Sequence, residues 1–364
     1  MPNKKNARTR HTSVSQRRQV TIIEVAEAAG VSIATVSRVM SGSPSVRSEL
    51  VERVRRAADE LGYRPNPAAQ RLASGVGDTI GVVVPNLANP YFYDVIKAMN
   101  IAAATEGYQM LIADANEDPD EEFDLSTNLL RQVDGLVLVS PRMPAASLRR
   151  LAQENVHIVL VNRVAVGVGL PTVAVDNYSA MVEICGHLAR LGHRRVVYLA
   201  GPELSWQNVE RQRAVEQAEA FGLEVQTVPA GASIDTGHAA VDRALELKPT
   251  ALVSFNDLVA FGALARLQEL GVRVPDDVSL TGFDDIPFAA YVSPSLTTAN
   301  SPQRVLGQRA WQVLHQMMSG AEVDDTPLVK AEVVIRGSTA APTSSTPDRL
   351  PSRPAAGSAA PSVH

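Results

Sequence analysis

The chain is short of the residues that cross-link a fold or carry it through a membrane. One cysteine, Cys185, stands among 364 residues, so no internal disulfide and no thiolate metal site can form. Aromatic residues make up 4%, and the longest apolar runs, such as Ile80 to Val84 and Leu136 to Val139, have the length of strands. None is long enough to span a bilayer. No apolar h-region follows the basic N-terminus, so no secretory leader is expected. With 45% hydrophobic residues the chain has material for two or three ordinary cores. The sequence predicts a soluble cytoplasmic protein with no membrane partner.

Catalytic signatures are missing as well. Gly75 and Gly77 lack the third glycine of a phosphate-binding fingerprint, Ile80 standing in its place, and no strand precedes them. No GxSxG nucleophile elbow occurs. His187 and His193 have no carboxylates at metal-ligand spacing. Gly192, followed by basic residues, reads as an ordinary helix C-cap, and Cys185 as a core residue of an amphipathic helix. A chain that is not an enzyme, with no cofactor and no metal, is expected.

What is present is an uneven charge. The net charge of −5 conceals a basic head: residues 1–77 hold 13 Lys/Arg against 6 Asp/Glu, while the remainder holds 21 against 33. Contact with a polyanion is therefore confined to the head. Residues 1–19 carry six Lys/Arg, no acid and little large apolar surface, a composition that predicts disorder. The last 25 residues, 340–364, include 18 Ala, Pro, Ser or Thr and read as a disordered tail.

Residues 20–64 read as a helix-turn-helix domain. Thr21-Ile22-Ile23-Glu24 has capping-box spacing, and a helix from Ile22 to Ala29 ends at Gly30. Ser32 caps a second helix, Ile33 to Met40, with Val36 and Val39 inward. A third, from about Ser48 to Leu61, closes the core through Leu50, Val51, Val54 and Leu61. Two short helices joined by a Gly-containing turn form a DNA-reading motif. Ile33, Ala34 and Arg38 then face base edges, and Ser32, Thr35 and Ser37 reach phosphate or bases, with Thr21 joining this DNA-facing set. The alternative for Arg38 is a phosphate anchor, since many such bonds go to the DNA backbone.

From Ile80 onward, strands alternate with helical stretches: 80–84, 108–113, 135–139, 157–161, 195–200, 224–228, 250–255 and 278–283. Fully apolar strands separated by helices predict parallel sheets covered on both faces. About 260 residues exceed one doubly wound sheet, so two subdomains are expected.

The run VTIIEVAEAAGVSIATVSRVMSG (20–42), followed by LGYRPNPAAQRLASG (61–75), resembles the head of the lactose-repressor (LacI/GalR) family of bacterial transcription regulators. The resemblance extends from Val20 to Ser338, ending in the strand VVIRGST (333–339). It implies a small all-α helix-turn-helix head on an α/β body of two doubly wound parallel-sheet subdomains, like periplasmic binding proteins. It gives residues 65–77 the role of a hinge helix, with Asn66, Ala69, Leu72 and Ala73 on DNA and Leu72 as a minor-groove wedge. Asn66 suits an N-cap and Pro67 the first helical position, although the pattern alone reads equally as a linker. It assigns 78–339 to effector binding and dimerisation.

Ligands of parallel α/β sheets lie at the carboxyl ends of strands. By similarity to the family, Asn89, Tyr91, Phe92, Asn162, Arg163, Arg211, Asn256, Asp284 and Asn300 form the effector site, with Ser140 and Trp206 as further candidates. Their amides, carboxylates and guanidinium planes suit vicinal hydroxyls, and aromatic faces suit a sugar ring. Two departures stand out: the loop PAGASID offers Ala232 and Ser233 where sugar binders place an aromatic, and position 162 is Asn rather than Asp, which removes a charge-assisted acceptor. The expected function is a repressor-type regulator binding palindromic operator DNA as a homodimer, its affinity set by a sugar-like effector. The C-terminal tail lacks heptads for a larger bundle.

Overall fold

The computed structural model describes residues 20–40, 46–63, 79–323 and 327–343. The expected basic tail 1–19, the hinge residues Asn66, Ala69, Leu72 and Ala73, and the tail from residue 344 lie outside the described residues. The chain divides into two compact units between Gly77 and Asp78.

The first unit holds α1 (Ile22–Ala29), α2 (Ile33–Met40) and α3 (Ser48–Leu61). Its start is the capping box: the Thr21 amide donates to Glu24 Oε2 at 2.7 Å, and the Glu24 amide donates to Thr21 Oγ1 at 3.4 Å. Gly30 then adopts φ +60°, a left-handed conformation that ends α1 and would strain any side chain there. Val25, Ala29, Val36, Val39 and Val54 are buried together. In α3 the inward residues are Val54, Ala57 and Ala58. Leu61, expected in the core, is 39% exposed, and Leu50 and Val51 are half-buried: the inward seats of α3 go to Val54 and the two alanines.

The second unit is two stacked lobes of the expected α/β kind. In order they are β1 (Thr79–Val84), α4 (Tyr91–Thr105), β2 (Gln109–Asp114), α5 (Pro119–Leu129), β3 (Gly135–Val139), α6 (Ala145–Leu151), β4 (His157–Val161) and β5 (Thr172–Val173). Then come α7 (Asn177–Leu191), β6 (Arg195–Ala200), α8 (Trp206–Glu216), β7 (Glu224–Pro229), α9 (Ile234–Glu246), β8 (Ala251–Ser254), α10 (Asp257–Glu269) and β9 (Ser279–Thr281). The chain closes with β10 (Thr298–Asn300), α11 (Gln303–Met318) and β11 (Glu332–Val334). The first sheet is parallel in the order β2-β1-β3-β4-β5, the second parallel in the order β7-β6-β8-β9. β1 and β3 are buried along their whole length, as strands covered on both faces must be.

Three segments link the lobes. β10 pairs antiparallel with β11, and Val329 bonds with Ala174 and Asp176 on the first passage. The last helix returns to the first lobe: α11 packs on α4 so closely that a Cβ at Gly307 would lie 2.2 Å from the Val95 carbonyl oxygen. The strand expected over 333–339 stops at Val334. Beyond it Ser338 ties the chain to Leu280 twice, its hydroxyl donating to the Leu280 carbonyl at 2.6 Å and its carbonyl accepting from the Leu280 amide at 2.8 Å. The tail expected from residue 340 also begins too early. The Ala340 amide donates to Ser279 Oγ and its carbonyl accepts from the same hydroxyl, so the chain remains tied to the second lobe there.

Candidate functional site

On the head, α2 presents Ser32, Ile33, Ala34 and Arg38 to solvent, with Thr35 and Ser37 half-buried and Val36 and Val39 inward. The Thr35 amide donates to Ser32 Oγ at 3.2 Å, which caps the helix as expected. Ile33, 49% exposed at the first position of α2, is a large apolar side chain that the fold leaves in water. Thr21, exposed at the start of α1, serves its capping box.

In the body the carboxyl ends of the strands face a cleft between the lobes. A cavity of about 470 Å³ opens there. Asn86, Ala88, Asn89, Pro90 and Glu117 line it from the first lobe; Ala232–Asp235, Leu258, Phe261 and Phe288 line it from the second.

Several of the expected site residues are joined to one another within each lobe. Tyr91 is buried; its hydroxyl accepts from Asn162 Nδ2 at 2.6 Å and lies 3.1 Å from Ser301 Oγ. Burial, reinforced by the nearby Asp284 carboxylate, pushes the phenol up to about 12, so it stays protonated. Asn162 turns with φ +54°, and its Oδ1 accepts from the Val175 amide. Arg211 on α8 is the centre of the second-lobe wall: Nε donates to Asn177 Oδ1 at 3.0 Å, one terminal nitrogen to the Phe255 carbonyl and the other to Asp284 Oδ1 at 3.3 Å. Its plane lies 3.5 Å from the centroid of Phe283. Burial raises Asp284 to about 7, with Arg211 opposing the shift.

Asn89 lines the cavity while its Oδ1 accepts from the Tyr91 amide. Asn256 caps α10, accepting from the Val259 amide at 2.9 Å and donating to the Ala232 carbonyl at 3.1 Å. Arg163 donates to the Leu204 carbonyl at 2.9 Å. Ser140, at φ +49°, accepts from Gln207 Nε2 at 2.6 Å. Trp206 opens α8, half-buried.

Two expected contacts fall elsewhere. Phe92 is a core residue, edge-on to Tyr91 with centroids 5.3 Å apart, because the second position of α4 points into the first lobe. Asn300 is exposed and donates to Asp285 Oδ2 at 2.9 Å, spent on a surface network that continues from Asp285 to Arg336. The aromatic surface that the sequence seemed to lack is supplied by Phe261 and Phe288. Phe261 sits inside α10 and Phe288 in a short 3-10 turn, positions that no strand-end rule selects.

Asp257, next to Asn256 at the first position of α10, is a further buried carboxylate of this region. Fully buried, it accepts from the Thr298 hydroxyl at 2.6 Å and the Ile286 amide at 2.9 Å, and burial raises its pKa well above the carboxylate range. It fills the space beside Gly282, where a Cβ would fall 2.2 Å from its Oδ1. The turn that aims Asp284, at φ +116°, is thereby held to α10 and β10.

A helix-turn-helix head and a body of paired parallel sheets with a cleft between its lobes define a DNA-binding regulator in outline. The comparisons agree. Residues 21–66 match the model of bacterial regulatory proteins of the lacI family, and residues 185–339 match a periplasmic binding protein-like domain. The HTH-type transcriptional repressor CytR of Escherichia coli is 33% identical over 334 residues, 90% of this chain and 98% of that one. The HTH-type transcriptional regulator GntR of Pseudomonas aeruginosa is 34% identical over 329 residues, 88% and 95% of the two chains. Among solved structures, the Lac repressor dimer bound to operator and the anti-inducer ONPF has a TM-score of 0.79 at 28% identity, covering 89% of this chain and all of that one. The CelR–cellobiose complex has a TM-score of 0.66 at 29% identity, covering 88% and 100%. The chain belongs to the LacI family of bacterial regulatory proteins: it is a DNA-binding transcriptional repressor, and its relatives are regulators rather than enzymes.

Proposed function

We propose that the protein acts in the cytoplasm as a homodimer on a palindromic operator, and that a small polyhydroxylated effector held between the lobes sets its DNA affinity. The observation that carries this reading is that Tyr91, bonded to Asn162 in one lobe, lies close enough to the Arg211–Asp284 pair of the other to feel both charges, while Asn89, bonded to the Tyr91 amide, lines a cavity of about 470 Å³. Fixed polar groups with an apolar wall are what a sugar-sized ligand requires. Support comes from relatives solved as a dimer on operator and with cellobiose. Two half-sites require two heads, and the exposed cap Ser32 with Ile33, Ala34 and Arg38 of α2 is the base- and phosphate-facing set. Effector binding shifts the populations of lobe arrangements, and by linkage operator affinity changes reciprocally.

The test is thermal unfolding of the full chain against pentoses, hexoses, disaccharides including cellobiose, sugar phosphates and nucleosides. A ligand at a hundred times its Kd adds about 2.7 kcal/mol of stability, and the same compound must change operator affinity. A compound that stabilises without changing operator affinity contradicts the coupling.

A further inference from the structure

At the carboxyl edge of the first-lobe sheet, Glu122 on α5 is 1% exposed. Its Oε2 accepts from two backbone amides, Arg142 at 2.8 Å and Met143 at 2.7 Å, and so clamps the segment that follows β3. That clamp needs one oxygen, and a glutamine carbonyl would supply it without burying a charge. The other oxygen, Oε1, is buried with no partner among the described residues, and so is Arg163 Nε. The two groups lie close enough for the Glu122 charge to act on the Arg163 guanidinium.

Neighbouring charges do not satisfy them. The Arg142 guanidinium is taken by Glu117, at 2.7 and 3.4 Å, and by the Ser140 carbonyl at 2.9 Å. Glu117 also lines the cavity, so the cluster adjoins it. From the second lobe, Gln207 reaches Ser140 and the Leu204 carbonyl reaches Arg163.

We propose that Glu122 and Arg163 form a second polar subsite of the cleft, which holds one hydroxyl group of a neutral polyhydroxylated effector. The hydroxyl donates its proton to Glu122 Oε1 and its oxygen accepts from Arg163 Nε–H. An anionic group is repelled by the carboxylate, and an ammonium leaves the Nε–H unmet; a neutral hydroxyl satisfies both. This subsite rests on the effector reading above and narrows it to uncharged polyols. Burial pushes Glu122 up to about 7, against the two amides and Arg142, so the acceptor form strengthens as pH rises above neutrality.

The experiment is calorimetric titration of the full chain with D-glucose, the monodeoxy-D-glucoses and cellobiose, for the wild type, Glu122→Gln and Arg163→Met. Loss of a charge-assisted hydrogen bond weakens sugar binding roughly ten- to hundredfold in each variant. One deoxy sugar, lacking the bridging hydroxyl, then binds wild type and Glu122→Gln alike. Unchanged glucose and cellobiose affinity in both variants means that a water alone sits there and overturns the subsite, leaving the effector reading intact. Equal weakening of every deoxy sugar assigns Glu122 to the clamp only and also overturns it. If none of these sugars binds the wild type while a charged compound of the thermal panel does, the subsite is overturned and the effector reading stands. Should Glu122→Gln not fold, Arg163→Met decides by the same comparison.

Discussion

Arg211 and Asp284, 73 residues apart in the chain, meet at 3.3 Å with both side chains almost fully out of water. A pair so placed is costly to desolvate and more costly to break. Removing the guanidinium by Arg211→Met leaves Asp284 buried without its cation, for a predicted loss of about 3–5 kcal/mol in urea unfolding at pH 8. The loss is smaller at pH 6, where Asp284 can take up a proton. The same variant is expected to bind operator and to lose its response to the effector found by thermal shift. A retained response removes Arg211 from the site.

Asp284 itself predicts a pH dependence. Its folded pKa of about 7 lies above the ordinary 3.8, so the native state binds a proton more tightly than the unfolded chain. Its contribution to stability is full at low pH and is lost as pH rises from about 4 through about 7. Asp284→Asn deletes that slope. The stability of the variant relative to wild type should rise across this window and level off above it, read by urea unfolding at a series of pH values. The groups facing Asp284 are Arg211, Asp257 and Tyr91; a flat difference means that Arg211 keeps the carboxylate charged throughout.

The close crossing of α9 and α10 depends on a missing side chain. A Cβ at Gly262 would lie 1.9 Å from the Ile234 carbonyl oxygen and 2.6 Å from the His238 amide nitrogen. Gly262→Ala forces the helices apart and should cost about 1–3 kcal/mol or more. Because Phe261 and Ile234 border the cavity, the variant should also weaken effector binding. Unchanged stability means that the crossing relaxes without cost.

On the head, Arg38→Ala separates two roles. As a base reader Arg38 contributes about 1–3 kcal/mol to a specific site and little to random DNA; as a phosphate anchor it contributes equally to both and lowers the salt slope by about one. Titration of an operator selected from a random pool, against random duplex, gives the answer.

The capping box, the glycine turn and the helix-turn-helix were legible in the sequence because each is a local device. Backbone groups within four residues are satisfied by neighbours in the chain, as Thr21 and Glu24 are. The strands were legible for a related reason: a parallel strand covered on both faces must be apolar throughout, as β3 is. Strand ends drew attention to the segments that hold Tyr91, Asn162, Arg211 and Asp284, and the family resemblance picked out these residues within them. Only the tertiary structure decided which of the expected side chains line the cavity and which bond to each other. Phe92 went to the core, Asn300 to Asp285, and the aromatic wall to Phe261 and Phe288. The return of α11 to the first lobe, seated on the gap at Gly307, and the buried carboxylates of Asp257 and Glu122 were equally hidden. Each depends on contacts between residues distant in the chain, where space and dielectric are set by the packed fold rather than by any local pattern.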